Sequence, residues 1–385
     1  MSSPAIVVVA YDRVNSLRRL LGSLQRAEYP CKTELVISID AGGSNEVAKI
    51  AEELEWSPGK KEILRRENHM GLSEHILACG DLSEHYGSII VLEDDLYVSP
   101  VFYHFALQSS AFYAGRPDIG GISLYAHRLN HSNNMLFEPM MDETDVIFLQ
   151  YACSWGQLWT FRQWSAFRQW YYDHTDWGTE IDTIPEHVTS WPNTSWLRYY
   201  IRYLAATDRY FVYPRESLTT LYQEVGQHSA RKTSTYQVAL QRFKREFRFQ
   251  HLEQSHCVYD AWLTILPDRL NRLVPELAQY DYAVDFYGTK SLGKIASPYV
   301  LCCGASRAPI LEFGLDMRPI EMNVIEKVQG KEIVLTRKAD IEPGFCSEAH
   351  AVRIYSELGT RRLFRMLRIR VYDRICHRLR SRRRK

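Results

Sequence analysis

The sequence of 385 residues has no apolar run that approaches the roughly 18 residues that a membrane-spanning helix needs. It also lacks a basic and apolar leader, because a strand-like segment already begins at Ala5. The eight cysteines are scattered without a CxxC pair, which argues against a structural zinc site or a disulfide framework. We therefore expect a globular chain in a reducing compartment, neither secreted nor inserted in a membrane.

Glycine-rich phosphate loops are absent as well. The sequence contains neither GxGxxG nor GxxxxGK[ST], so a nicotinamide-dependent or P-loop enzyme would lack its phosphate cradle. His127 and His131 stand four residues apart, as two zinc ligands on one helix face would. The asparagines and serine around them are typical of a loop, and we expect no zinc site there.

The formal net charge is only +1, but the charge is distributed unevenly. Residues 351–385 hold 13 of the 47 lysines and arginines and two of the 46 acidic residues, so this tail carries +11 and the rest of the chain −10. Apolar side chains recur in the tail at every fourth position, at Leu363, Leu367, Val371, Ile375 and Leu379. The pattern predicts a basic amphipathic helix on an anionic membrane surface, with a nucleic-acid arm or a solvated charge run as alternatives. We expect the tail to bind an anionic membrane surface and no nucleic acid.

The first hundred residues alternate strand-like apolar runs with amphipathic helical segments. Strands are predicted at residues 5–10, 34–40 and 88–92, with a shorter one around Ile63. This order predicts an α/β fold with a mostly parallel sheet flanked by helices, in which ligands bind outside the carboxyl ends of the strands. Further along the chain, a helix is predicted over residues 236–248.

Polar side chains stand where three of these strands end. Asp12 and Arg13 follow the first strand, Asp40 follows the second, and three acidic residues, 93–95, follow the fourth. Alone, Asp40 could equally be a turn-forming aspartate before Ala-Gly-Gly, and Arg13 a solvated surface arginine. Their common position at the ligand-binding edge makes them candidate site residues.

The acidic triplet is the most informative of these groups. Glu93, Asp94 and Asp95 repel one another unless a cation or hydrogen-bond donors compensate, which indicates a hard divalent metal with oxygen ligands. Capping of the next helix is the alternative, but Ser99 and Pro100 already supply a cap and a first-turn proline. By strand alternation, the first and third acids are expected to point together and the second away.

Together these segments resemble the GT-A nucleotide-sugar glycosyltransferases, and in particular the branch of N-acetylglucosaminyltransferase I and its bacterial relatives. The matching strings are VVVAYDR, LVISIDAGG and IIVLEDDLYVSPVFYHF, in the same order over roughly the first 110 residues. Fainter matches are Ser154-Trp155-Gly156 and YPRESLTT followed by GQH.

The resemblance implies a role for each matching position. Asp95 would hold Mn²⁺ or Mg²⁺, Arg13 would bind the diphosphate of the donor, and Asp40 would bind its uracil. The first two acids of the triplet would bind sugar or ribose hydroxyls. The full set of implied donor-binding residues is Ala10, Asp12, Arg13, Asp40, Glu93 and Asp94.

The catalytic base does not follow from the resemblance. Inverting members carry an aspartate in a Trp-Asp-Asp-Trp-like string, and the counterpart here, residues 193–196, reads NTSW without a carboxylate. Asp173 and Asp176, earlier in the same aromatic region, are the predicted substitutes, and the alternatives are a base from elsewhere or a different stereochemical course. His228 is a predicted contact of the metal or diphosphate, with a structural histidine as its alternative.

Tryptophans are concentrated in this second half of the predicted catalytic domain. Seven of the nine lie between residues 155 and 196. Because sugar rings present apolar C–H faces that stack on aromatic rings, we expect one or two of Trp155, Trp159 and Trp177 to line the acceptor site.

The sequence therefore predicts a metal-dependent, inverting transferase of sugar from a UDP-sugar to a hydroxyl of a surface glycan or lipid-linked saccharide precursor. Its predicted parts are a catalytic domain over 1–230, with a donor half to residue 110 and an acceptor half after it, an extension over 231–350, and the tail. The predicted location is the cytoplasmic face of the membrane. The rivals are a sugar-phosphate nucleotidylyltransferase, which normally needs a glycine-rich loop after the first strand, and a catalytically inactive glycan-binding protein.

Overall fold

The computed structural model describes residues 3–174, 184–222 and 234–342, together with six positions between 360 and 371. Within these residues the strands, in chain order, are β1 (Ala5–Ala10), β2 (Leu35–Ile39), β3 (Lys61–Arg65), β4 (Ser88–Glu93), β5 (Leu96–Val98), β6 (Ile119–Ser123), β7 (Val146–Leu149), β8 (Gln157–Thr160), β9 (Tyr210–Pro214), β10 (Thr219–Leu221), β11 (Val258–Tyr259), β12 (Tyr282–Asp285), β13 (Tyr299–Cys303), β14 (Leu311–Phe313) and β15 (Ile333–Arg337). The helices are α1 (Val14–Gln25), α2 (Asn45–Glu53), α3 (Gly71–Asp81), α4 (Ser83–Tyr86), α5 (Phe102–Tyr113), α6 (Phe161–Asp173), α7 (Glu186–Thr189), α8 (Trp196–Ala206), α9 (Pro267–Leu273) and α10 (Glu321–Ile325).

Nine of these strands form one sheet in the order β11-β7-β9-β6-β8-β4-β1-β2-β3. The half made of β4, β1, β2 and β3 is wholly parallel. In the other half β8 runs antiparallel to β4 and β6, and β7 runs antiparallel to β9. The predicted α/β class, with a mostly parallel central sheet flanked by helices, is confirmed.

The central strand β1 is buried along its whole length because helices cover both faces of the sheet. Val8 packs with the leucines of α1 and with α5, whereas Val7 packs on the opposite face with α3 and α6. A strand that is buried on both faces reads as a continuous apolar run, which is why this half of the sheet could be predicted.

The large sheet does not end at the predicted boundary between residues 230 and 231. β11 pairs with β7 and adds a strand to the sheet from beyond that point. The helix predicted over residues 236–248 is wrong, because this segment contains no helix and runs across α5. Phe247 and Phe249 hold it there, with ring centroids 5.1 and 5.7 Å from that of Phe105.

A smaller sheet, in the order β12-β13-β15-β14, lies within the predicted extension. Its Val284 and Leu301 belong to the same apolar cluster as the core of the large sheet. Lys290 and Asp260 also form a largely buried ion pair near the end of β11. The small sheet therefore shares its core with the large one.

The six described positions of the tail, between 360 and 371, are helical. Phe364, Leu367 and Val371 are 68%, 59% and 48% exposed. Among the described residues, no helix combines the length and apolarity that would let it cross a bilayer.

Candidate functional site

The three acids lie in a tight turn between β4 and β5, which we call the acid turn (residues 93–95). β4 ends at Glu93, so the next two residues leave the strand and the alternation expected from the sequence does not apply. Instead, Asp94 and Asp95 converge on Arg13, which follows β1. Arg13 Nη1 lies 2.8 Å from Asp95 Oδ2, and Arg13 Nη2 forms a close ion pair with Asp94 Oδ1.

The position of the turn excludes the alternative in which these acids cap a helix. The short strand β5 separates them from α5, which begins at Phe102. The predicted capping by Ser99 and Pro100 is wrong, because the residue before α5 is Val101 and no side chain caps this helix; the Ser99 hydroxyl accepts a hydrogen bond of 3.2 Å from the Val101 N–H in the turn before it. The carboxylates thus stand at the carboxyl edge of the sheet, where ligands bind in folds of this class.

The charges of the acid turn are not fully compensated by Arg13. Burial raises the pKa of Glu93 to about 8, and the charge of Asp95 acts in the same direction. Burial also raises the pKa of Asp94 to about 7, although Arg13 opposes the rise. Burial would lower the pKa of Arg13, but the charges of Asp95 and Asp94 outweigh it and raise that pKa. A further cation would therefore be stabilised here.

The acid turn can offer a divalent cation one protein ligand, the side chain of Asp95. Asp95 is the outermost of the three acids, with a quarter of its side chain exposed, so it can present a hard oxygen ligand to solvent. In the part of the chain that the structure describes, no three His, Cys, Asp or Glu side chains are grouped so as to hold a metal ion. A cation at Asp95 would take its other ligands from water and a bound phosphate, as Mg²⁺ commonly does.

The loop Ser154-Trp155-Gly156 forms the wall next to the acid turn. The Ser154 side chain lies close enough to Glu93 to oppose the rise of its pKa. Gly156 has a φ of +95°, and a Cβ there would lie 2.8 Å from Thr219 Cγ2. The close packing is held by Thr219 Oγ1, which donates a 2.6 Å hydrogen bond to the Trp155 carbonyl. The fainter sequence matches thus meet at the same edge as the stronger ones.

β10 connects this wall to the acid turn. It pairs with β5, and just after it the Tyr222 N–H donates a 2.8 Å hydrogen bond to the Asp95 carbonyl. His228, the predicted metal or diphosphate contact, follows six residues later in the sequence and lies outside the described residues.

Asp40 lies at the end of β2 and is almost fully buried. Its Oδ1 accepts hydrogen bonds of 2.9 Å from the Ala41 and Met70 N–H groups, and its Oδ2 accepts one of 3.0 Å from Gly71. His69 Nδ1 lies 2.9 Å from the same Oδ2. Burial alone would raise the pKa of Asp40, but these backbone donors lower it.

Three backbone N–H groups thus occupy three of the roughly four acceptor positions of this carboxylate, and the exposed His69, whose Nδ1 also lies 3.1 Å from the Ala41 carbonyl oxygen, stands at the fourth. The geometry therefore favours the turn alternative for Asp40, which ties β2 to the start of α3.

The remaining predicted residues are dispersed. Ala10 is buried at the end of β1, where its carbonyl accepts the Asp40 N–H, and Asp12 is exposed at the same edge. Asp173 is exposed at the end of α6, where its Oδ2 accepts a hydrogen bond of 3.4 Å from Gln169 Nε2. No contact joins it to the acid turn within the described ranges, and Asp176 falls outside them.

The structure removes one of the three tryptophans that were predicted as candidates for the acceptor site. Trp159 is fully buried beneath α6, where it packs on Trp164 at a centroid distance of 4.5 Å, so it cannot line an acceptor site. Trp155 is half-buried beside the acid turn, as expected of an acceptor contact. Trp177 lies outside the described residues.

A group of rings next to Trp155 was not predicted as a site. The centroids of His131, Trp155 and Tyr236 lie 5.0–5.5 Å from one another, and we call these three residues the aromatic cluster. The sequence offered one signal, the spacing of His127 and His131. The two imidazoles hydrogen-bond to each other, Nδ1 to Nε2 over 3.1 Å, instead of binding zinc together.

A separate cavity of about 600 Å³ lies between α6 and the α3–α4 junction. Its lining includes Asp81, Arg168 and Tyr172 but no residue of the acid turn. Arg168 and Asp81 form an ion pair of 3.0 Å there. This cavity is thus distinct from the candidate site.

No protein-family model and no curated protein matches the sequence. Several solved structures are similar to it. One is the mannosyltransferase PcManGT from Pyrobaculum calidifontis in complex with GDP-Man and Mn²⁺, at 12% identity over 41% of this chain and 45% of that chain, with a TM-score of 0.29. Another is S. aureus TarS 1-349 in complex with UDP-GlcNAc, at 14% identity over 58% and 60%, with a TM-score of 0.38. The bifunctional glycosyltransferase WbbM matches 25% of this chain and 19% of its own, at 12% identity and a TM-score of 0.20. The chain thus spans less than two thirds of each of these structures.

Proposed function

We propose that this chain is a glycosyltransferase that moves a sugar from a UDP-sugar to a hydroxyl of a surface glycan or lipid-linked saccharide precursor. The observation that carries the proposal is the convergence of Arg13, the acid turn and the Ser154-Trp155-Gly156 loop at the carboxyl edge of the sheet. Carboxylates with raised pKa values beside an arginine fork suit a ligand that brings both a cation and a diphosphate.

In the proposed reaction, Arg13 contributes a planar pair of N–H donors to the diphosphate, because its guanidinium already lies at the mouth of the acid turn, 30% exposed. Asp95 would hold Mn²⁺ or Mg²⁺, which supplies charge neutralisation for the departing nucleoside diphosphate. Glu93 and Asp94 would accept hydrogen bonds from sugar or ribose hydroxyls, a role that suits carboxyl groups buried beside the ligand.

The transfer itself requires removal of a proton from the acceptor hydroxyl. A base takes that proton, the acceptor oxygen bonds to the anomeric carbon, and the bond from that carbon to the diphosphate oxygen breaks, with inversion. The bases that we propose are Asp173, the last residue of α6, or Asp176, three residues later in the sequence, because both belong to the acceptor half of the chain.

The decisive experiment is a thermal-shift screen of nucleotide sugars with and without Mn²⁺ on the full chain. We expect one UDP-sugar to raise the melting temperature only when Mn²⁺ is present. Asp95→Asn should abolish this rise because a neutral amide no longer attracts the cation. Asp281→Asn, at an exposed aspartate far from the site in sequence, is the matched control and should retain the rise.

Other outcomes would overturn the proposal. A response to UTP with a sugar 1-phosphate would favour the nucleotidylyltransferase, and a response to free glycans alone would favour a binding protein. An Asp95→Asn variant that still responds to the UDP-sugar with Mn²⁺ would refute the metal assignment.

We further propose that the tail holds the enzyme on an anionic membrane surface at the cytoplasmic face. Phe364, Leu367 and Val371 share one helical face by their spacing and are all exposed, while the surrounding tail is strongly basic. An acceptor made on a lipid carrier would then be within reach of the catalytic domain.

A further inference from the structure

A chain of hydrogen bonds leads from the core of the protein to the aromatic cluster. The Tyr213 hydroxyl donates to the Tyr151 carbonyl over 2.5 Å. His127 Nε2 lies 3.4 Å from the Tyr213 hydroxyl oxygen, and His127 Nδ1 lies 3.1 Å from His131 Nε2. Every link except the last residue, His131, is buried.

This chain fixes the tautomer of both imidazoles. The single hydrogen of the Tyr213 hydroxyl is committed to the Tyr151 carbonyl, so His127 Nε2 must be the donor to the Tyr213 oxygen. A neutral imidazole with a proton on Nε2 has a bare Nδ1. His127 Nδ1 is therefore an acceptor, and His131 Nε2 must donate to it.

The result is a bare nitrogen on His131. With its proton on Nε2, the ring carries a free lone pair on Nδ1. Both rings stay neutral near neutral pH, because burial lowers the pKa of His127 well below its usual value and that of His131 to about 3, with His187 adding to the second effect. His131 thus presents an uncharged nitrogen that can accept a hydrogen bond.

The surroundings of this acceptor are aromatic. The rings of Trp155 and Tyr236 lie 5.5 and 5.1 Å from the His131 ring, and both side chains are half-buried, so each is partly accessible to solvent. Sites for small ligands typically combine aromatic walls with a few fixed polar groups. A pyranose offers the complement, with apolar C–H faces and hydroxyl donors at its rim.

We propose that the aromatic cluster is a saccharide subsite on the acceptor side, in which His131 Nδ1 accepts a hydrogen bond from a ring hydroxyl while Trp155 and Tyr236 stack on the sugar. This inference rests on the proposed function and adds the acceptor's chemical class and its binding residues. Trp155 directly follows Ser154, which lies close enough to Glu93 to lower its pKa, so the subsite adjoins the acid turn. His127 and Tyr213 are positioning residues that hold His131 in the tautomer with a bare Nδ1.

Two variants of His131 distinguish the contribution of its Nδ1 as a hydrogen-bond acceptor from the contribution of its side-chain packing. His131→Gln places its amide near the Nε2 position, so it can still donate to His127 but has no acceptor at Nδ1. His131→Asn places its carbonyl oxygen near the Nδ1 position and gives up the link to His127. We expect His131→Gln to raise the KM for the acceptor about five- to tenfold, as for the loss of one hydrogen bond, and His131→Asn to have less effect. Equal effects of both variants, or none, would refute the role of Nδ1.

Ring-nitrogen NMR of the full chain with ¹⁵N-labelled histidine tests the subsite without catalysis. The long-range ¹H–¹⁵N spectrum should show a bare Nδ1 on His131, and Tyr213→Phe should allow the other tautomer. Methyl glycosides of glucose, galactose, mannose and N-acetylglucosamine are the probes, and at least one should shift this Nδ1 resonance. A protonated Nδ1, or no shift with any glycoside, would overturn the proposal.

The same titration shows whether His131 binds the donor sugar or the acceptor sugar. It also separates a failure of the proposed function from a failure of the saccharide subsite. A shift with a UDP-sugar but with no glycoside would assign the ring to the donor and refute an acceptor subsite. If no nucleotide sugar raises the melting temperature although a glycoside shifts His131, the proposed function fails and the saccharide subsite stands. If the donor binds and the glycosides do not, the subsite alone fails.

Discussion

Neutralising Asp94 should stabilise the ligand-free protein at the cost of the proposed donor binding. Asp94 is 2% exposed, and burial raises its pKa from 3.8 to about 7 although Arg13 lies against it. Between these two values the folded chain keeps a proton that the unfolded chain has released. Its contribution to stability therefore falls as the pH rises through this window and is fully lost above about pH 7.

The size of the effect follows from the same two values. A rise from 3.8 to about 7 corresponds to about 4 kcal/mol for ionising Asp94 in the folded chain. Asp94→Asn keeps the shape of the side chain and removes this cost, while Arg13 retains its 2.8 Å partner Asp95. We expect the variant to gain up to about 4 kcal/mol over the wild type between pH 4 and pH 8.

The assay is chemical denaturation of both proteins at several pH values, and the quantity to compare is the difference in their free energies of unfolding. In this difference the contributions of buried histidines such as His75 and His187 cancel, because these residues titrate in the same pH range and contribute equally to both proteins. Asp281→Asn, which removes one carboxylate from an exposed side chain outside the acid turn, is the control. A variant that is less stable than the wild type at pH 8 would show that the ion pair with Arg13 outweighs burial, and the reasoning would be wrong.

The other two predictions concern Asp40 and the tail. Asp40→Ala should cost about 2 to 3 kcal/mol of unfolding free energy, because it leaves the Met70 and Gly71 N–H groups without their acceptor, and it should weaken all nucleotide sugars alike. Unchanged stability in denaturation with a selective loss of uridine nucleotides would instead restore its role as the reader of the base. Deleting residues 361–385 should release the protein from anionic liposomes in sedimentation assays and leave the UDP-sugar thermal shift unchanged. Truncated protein that still sediments with those liposomes at ~0.15 M salt would contradict membrane binding through the tail.

The parallel half of the sheet could be predicted because its signals are local. β1, β2 and β4 are buried on both faces and read directly as apolar runs. The segment over 236–248 could not be predicted, because contacts of Phe247 and Phe249 with α5 determine its path, whereas its spacing alone suggested a helix. Likewise, β11 has only two residues and exists because β7 offers it an edge.

In the candidate site too, the part with a local sequence signal could be predicted and the part formed by distant residues could not. The acid turn was predictable from composition at a strand end, but its orientation depends on where β4 stops, and that residue, Glu93, carries no boundary signal. The aromatic cluster joins His131, Trp155 and Tyr236, which are far apart in the sequence and belong to three different loops. No spacing rule connects such residues, so only the fold reveals them.

The electrostatics of the site imply that a cation and a donor would bind cooperatively. In the ligand-free protein Arg13 forms ion pairs with both Asp94 and Asp95. A diphosphate that binds alone must compete with these carboxylates for the guanidinium, and a cation that binds alone must share the acid turn with Arg13. When both bind, the cation can take over the compensation of Asp95, and Arg13 becomes free to bind the phosphates. Each ligand thus removes the main obstacle to the other, and this coupling follows from the placement of one arginine between two sets of anions.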